Sequence, residues 1–295
     1  MPVSNYMNRN MKKFILKMFV FWTIIFVFAF SVSFFRIIIT RSFSWHLPKE
    51  KHILFLGASH VAHGLDDSRT AEAINLAHDS ERYLFTYVKL QYLLSQNSQI
   101  DTIFLECAPT DLWQHTDDKY YDLNEQSFFI PAYWPLINKY QMPFYHHNII
   151  QFYNLVLTNI FKRDYYDNAK YLNLLGGFHD RKTNSNIMNK DSVKVNIENG
   201  LYGHTVNYSY LRKIIKLCRI YKVKLYLLYC PVYKPEYAYD QGYYYYTIMH
   251  KFSDVEFLDY SHMAFKDDER YDAHHLNYKG ARIFTDSLKR RFSFH

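Results

Sequence analysis

The stretch MFVFWTIIFVFAFSVSFF, from Met18 to Phe35, contains no charged residue. With Phe14-Ile15-Leu16 before it and Ile37-Ile38-Ile39 after it, the apolar run reaches the ~20 residues that a bilayer core requires. It is apolar on every face, which is read against a buried helix of a soluble domain. Ser31-Val32-Ser33 resembles a cleavage site, but a secretory leader has a shorter apolar core. The expectation is therefore a single membrane anchor. Arg9, Lys12, Lys13 and Lys17 precede it, and Arg36 and Arg41 follow it. That modest bias predicts a cytoplasmic N-terminus and an extracytoplasmic remainder. The chain then divides into a stub and anchor at 1–41, a short polar link at 42–51, and a domain at 52–295.

The domain alternates two kinds of segment. His52 to Leu56, Ala73 to Leu76, Thr102 to Leu105, Lys224 to Tyr229 and Val255 to Leu258 read as short buried strands. Glu81 to Ser95, the stripe Leu211, Ile214, Ile215 and Cys218, and Leu276 to Phe292 read as helices. Alternation of this kind predicts an α/β fold, a flavodoxin-like doubly wound parallel sheet. Ligands of such sheets bind beyond the carboxyl ends of the strands. Residues 113–206 break the alternation and read as a partly helical insertion over that edge.

The net charge of +7 is dispersed, and no helix-turn-helix, zinc-finger or RNA-recognition pattern accompanies it, so no nucleic acid is expected as a partner. Cys107, Cys218 and Cys230 form no CxxC pair. A full disulfide framework is excluded by the odd count, and one bridge is left open. His60, His63, His274 and His275 match no HExxH-type spacing, so no metal and no cofactor is expected. Glu106 and Asp111 read as structural strand-end carboxylates rather than a glycosidase pair. Trp113, Trp134 and the tyrosines at 243–246 read as packing residues.

Two short motifs carry chemistry. Gly57-Ala58-Ser59 places a serine just past a strand, where its hydroxyl stands above the sheet edge. A serine hydroxyl is a weak nucleophile until a base takes its proton. Near the other end, Asp272-Ala273-His274-His275 spaces a carboxylate and an imidazole so that Asp272 orients one ring nitrogen while the other faces the serine. Asp272 or Asn277 also suits a cap for the last helix.

Leu56-Gly57-Ala58-Ser59-His60 resembles the first block of the SGNH (GDSL-like) hydrolase superfamily. Tyr271 to Ala281 resembles its last block, Asp-x-x-His-Leu-Asn-x-x-Gly. The resemblance spans most of residues 50–292, with its specific motifs at the two ends. It is greatest to tethered members related to D-alanyl-transfer and polysaccharide O-acetylation proteins. It implies Ser59 as nucleophile, His275 as general base and Asp272 as its orienter. It also implies oxyanion donors from Ser59, Ala77 and Thr110, with His60, Asn75 and Asp111 as substrate-binding candidates. The middle blocks depart from the family pattern: Ala77 replaces a glycine, and Ala108-Pro109-Thr110-Asp111 replaces Gly-x-Asn-Asp. The implied activity is that of an esterase or O-acyltransferase on acylated cell-envelope polysaccharide or a related glycan. The alternative is a catalytically impaired scaffold that binds glycan or a membrane-bound acyltransferase.

Overall fold

The computed structural model describes residues 3–112, 120, 122, 126–137, 149–182, 206–233 and 241–295. Five short strands, β1 (Ile53–Leu56), β2 (Ala73–Asn75), β3 (Thr102–Glu106), β4 (Lys224–Tyr229) and β5 (Glu256–Asp259), form one all-parallel sheet in the order β2-β1-β3-β4-β5. This is the flavodoxin-like doubly wound order, whose ligand crevice opens where the winding reverses, between β1 and β3.

Each strand alternates its side chains between two cores, as the pleat requires. Leu54, Leu56, Ile103, Leu105, Leu225 and Leu227 face one helical layer. That layer includes α3 (Tyr83–Gln96) and α8 (Val206–Tyr221), with the stripe Leu211, Ile214, Ile215 and Cys218 buried as expected. Ile53, Phe55, Phe104, Leu228 and Leu258 face the other layer. It holds α2 (Ser59–Gly64) and the final helix α10 (Tyr278–Phe292), whose Ala281, Phe284, Thr285 and Leu288 point inward. All five strand expectations correspond to strands, with no end shifted by more than one residue.

The remaining helices are α4 (Pro109–Leu112), α5 (Phe129–Tyr133), α6 (Ile149–Thr158), α7 (Asn168–Leu174) and α9 (Gln241–Lys251). Helices α5, α6 and α7 lie within the expected insertion, the rest of which falls largely outside the described residues. Trp113 and the insertion's 113–119 segment fall among those undescribed positions.

Helix α1 (Val3–Ser42) is longer than a bilayer needs, at about 60 Å by the helical rise. Its large apolar side chains from Met11 to Phe28 are exposed. Its last turns are docked instead. Arg36 is fully buried, donates to the Pro131 carbonyl and lies over the Trp134 and Tyr165 rings, while Arg41 Nε donates to the Pro135 carbonyl at 2.9 Å.

The expected polar link is not a free linker. Phe43 and Trp45 are buried, and Gln96 and Asn97 at the end of α3 accept from the Trp45 and Leu47 N–H groups at 2.8 and 2.7 Å. Two aromatic side chains within a short polar stretch supply the apolar area that seats it. The cysteine question is also settled: all three are buried free thiols.

Candidate active site

β1 ends at Leu56, and Gly57 then takes φ +141°, a conformation that side-chain-bearing residues avoid. Glycine is required on a second count, because a Cβ there would stand 2.3 Å from Glu106 Cβ. The sharp turn delivers Ser59 to the first position of α2. The opening N–H groups of a helix have no partner within it. Glu106 Oε2 takes two from this turn, Ala58 N–H at 2.7 Å and Val61 N–H at 3.3 Å. The Ser59 N–H is left free, among the described residues, to meet a developing negative charge.

The last block forms a tight loop. The Tyr271 N–H donates to the His275 carbonyl at 2.9 Å, and Asp272 Oδ1 accepts from the His274 and His275 N–H groups at 2.7 and 2.8 Å. Asn277 caps α10 by accepting from Lys279 and Gly280 N–H, and its own amide donates to the Asp268 and Arg270 carbonyls. A Cβ on Gly280 would meet the Glu269 carbonyl at 2.2 Å, which explains the glycine of this block.

The loop carries His275 to the serine. His275 Nε2 lies 2.9 Å from Ser59 Oγ, and its Nδ1 lies 2.9 and 3.0 Å from the two oxygens of Asp272. Because Asp272 can only accept, Nδ1 carries the proton and Nε2 presents a lone pair to the hydroxyl. Burial opposes the charge of Asp272, yet the His275 ring and the two backbone N–H groups outweigh it and hold the carboxyl far below its usual range. Burial, together with the nearby His60, lowers the pKa of His275 despite Asp272. The imidazole is thus kept neutral and ready to accept a proton.

The other expected site residues fall into two groups. His60 belongs to the centre: its ring stacks 5.4 Å from that of His275, and its Nδ1 lies 2.6 Å from Glu106 Oε1. Burial resists the charge on His60, but Glu106 prevails and raises its pKa. Glu106 is in turn lowered against its own burial by His60 and the two backbone N–H groups. Thr110 is half-buried in α4.

Asn75, Ala77 and Asp111 are turned to structural work. The Asn75 amide donates to the Val61 and Leu65 carbonyls at 2.9 and 2.7 Å, and its oxygen accepts from the Ala77 N–H at 2.9 Å. The N–H expected of Ala77 as an oxyanion donor is therefore already engaged, and both donors of the buried Asn75 amide are taken by backbone carbonyls. Asp111 is buried and accepts from the Ala108 N–H at 2.8 Å, closing the turn into α4. Burial, with the Glu106 charge close by, pushes its pKa up to about 7.

Sequence reasoning set Glu106 aside as a structural carboxylate. The structure gives it a specific task, joining the β1 turn to His60. The signal available was its position at the end of the strand next to β1, where such sheets gather their sites.

One family model, of an uncharacterised family, is similar to this chain over residues 151–294. No curated protein matches the chain in sequence.

Proposed function

We propose that this protein is a membrane-tethered serine esterase or O-acyltransferase of SGNH type, acting on an acylated cell-envelope glycan. The carrying observation is the hydrogen-bonded line from Ser59 Oγ through His275 to Asp272, set at the carboxyl edge of a parallel sheet. In this reading His275 Nε2 takes the Ser59 proton as Oγ attacks the acyl carbonyl. The Ser59 N–H supports the tetrahedral oxyanion, and His275 returns the proton to the leaving alcohol. Water or a sugar hydroxyl then gives its proton to the same imidazole as its oxygen attacks the acyl carbonyl, and the imidazole passes that proton to Ser59 Oγ as the acyl–Oγ bond breaks.

The membrane setting is supported by exposed apolar surface on two elements. The Met11 to Phe28 portion of α1 is bare, and Phe28 stacks on Phe161 with ring centroids 6.3 Å apart. Phe161 belongs to a patch with Ile149, Ile150, Tyr153 and Leu157 of α6, all exposed. Such a face, beside an apolar helix, suits the bilayer boundary. The charge flanks favour an N-terminus in the cytoplasm and the domain outside.

The test is labelling of the full chain by a fluorophosphonate. Wild type should label, and Ser59→Ala should lose the label while keeping its thermal transition; equal labelling of both removes Ser59 as the nucleophile. One observation favours the scaffold reading: the Ala77 N–H is engaged and Asp111 stands in the third block, so the oxyanion has fewer donors than the family pattern supplies. A scaffold that seats glycan or a membrane-bound acyltransferase would keep its cellular role in Ser59→Ala.

A further inference from the structure

Beside the catalytic centre, three segments bring together His63 of α2, Asp79 of the loop after β2, and His179. One ligand atom from each lies within 4.8 Å of the others. The His63 side chain is fully buried. Its Nδ1 lies 3.2 Å from the His179 carbonyl oxygen, which can only accept, so Nδ1 is the protonated nitrogen. In a neutral ring Nε2 is then a bare lone pair. That lone pair stands 2.9 Å from Asp79 Oδ1, another acceptor. The contact is not aligned as a hydrogen bond: both Nε2 and Oδ1 are buried polar atoms without a hydrogen-bond partner. Two buried lone pairs pressed together off-axis need a cation between them or a second proton on the ring.

We propose that His63, Asp79 and His179 bind a divalent transition-metal cation of the zinc class. Neutral imidazoles with one carboxylate are the donor set that such an ion prefers. The outer contacts also suit it. Metal-bound histidines commonly pass their other ring N–H to a carbonyl, as His63 does, and ligating carboxylates are themselves hydrogen-bonded. Asp79 Oδ2 is held by Arg181 Nη2 at 3.3 Å, which leaves Oδ1 for the ion. His179, half-exposed, gives the site its opening to solvent.

The arms are fixed before any ion arrives. The His179 N–H donates to the Ala62 carbonyl at 2.8 Å, the Gly177 N–H to the Ala77 carbonyl at 3.0 Å, and the His78 N–H to the Gly57 carbonyl at 3.1 Å. Gly176, at φ +144°, permits this approach, since a Cβ there would lie 2.4 Å from the Leu76 carbonyl oxygen. The His63 ring also meets the His275 ring edge-on, with centroids 5.2 Å apart. The cation would sit one side chain away from the catalytic imidazole, with an open position for water or a substrate oxygen. The site rests on its own geometry and stands whether or not Ser59 is a nucleophile.

The experiment uses the full chain in detergent, stripped with chelator and titrated with Zn²⁺, with bound metal counted by mass spectrometry and the site read by Co²⁺ absorption. Wild type should take up about one equivalent and give a tetrahedral-type Co²⁺ spectrum. His179→Ala and Asp79→Asn should each bind at least about 10-fold more weakly, with thermal transitions close to wild type without metal. His179 is half-exposed, so its variant tests the site without opening the core. Equal uptake by wild type and both variants would overturn the proposal. So would no uptake by wild type, with His63 carrying two ring protons by NMR, since the contact with Asp79 would then be a plain ion pair.

Discussion

Replacing Glu106 by glutamine isolates the group that ties the serine turn to the sheet. The carboxylate accepts from Ala58 N–H, Val61 N–H and the His60 ring. A glutamine oxygen can keep the two backbone donors, but as a neutral acceptor, and its NH₂ then faces His60 Nδ1 and forces that ring to be neutral. A bond to a charged group contributes about 1.5–3 kcal/mol and a neutral one about 0.5–1.5, so each of the three contacts loses about 1 kcal/mol. The expected cost is about 3 kcal/mol, or roughly 6–12 °C in Tm for a domain of this size.

The pH dependence is more specific than the size. His60 has its pKa raised from 6.5, so its share of the stability is present below 6.5 and is lost as pH rises through the raised value. Glu106 has its pKa lowered from 4.5, so its share is present above 4.5 and is lost as pH falls through the lowered value. The gap between wild type and Glu106→Gln should therefore be widest between pH 4.5 and 6.5 and narrow on either side. Thermal melts across pH measure it, and fluorophosphonate labelling follows the serine. A displaced turn should slow labelling by about 100-fold, the scale of a 1 Å misplacement. A gap that is flat with pH, or labelling at the wild-type rate, would refute the account of Glu106 as the clamp.

Gly57→Ala must accept both a positive φ and a Cβ 2.3 Å from Glu106 Cβ, so it should lose about 3 kcal/mol or more in thermal denaturation and abolish labelling. Asp272→Asn keeps the shape of the loop but can leave His275 in the wrong tautomer; labelling should slow by about 10⁴-fold with an unchanged circular dichroism spectrum. Asn277→Ala removes the cap of α10 and the donors to the Asp268 and Arg270 carbonyls, and should cost about 2–3 kcal/mol in chemical denaturation.

The fold was legible where one physical rule acted alone. Buried parallel strands read as short apolar runs, and Leu211 to Cys218 and Ala281 to Leu288 repeat at helical spacing because one side of each helix is buried. The Ser59, Asp272 and His275 motifs were legible because their local turns demand fixed residue types. The engagement of Ala77 and Asn75 with each other is not legible in the motif, because an asparagine amide can satisfy backbone groups two residues on as well as it can face a ligand. His63, Asp79 and His179 left no spacing signal, since three separate segments meet only after the sheet is wound. The seated link at 42–51 was hidden for a similar reason, because its partners Gln96 and Asn97 lie some fifty residues along the chain.

That link has a mechanical consequence. A free linker of ten residues would let the domain wander about 18 Å from its anchor point. With Trp45 sunk into the core and Arg36 and Arg41 gripping the carbonyls at 131 and 135, this slack is gone. The serine then rides at one fixed elevation above the foot of α1. In the proposed membrane setting, whatever meets the serine must be presented at that height, so lateral drift becomes the search and the reach of the proposed glycan, rather than of the protein, sets the encounter.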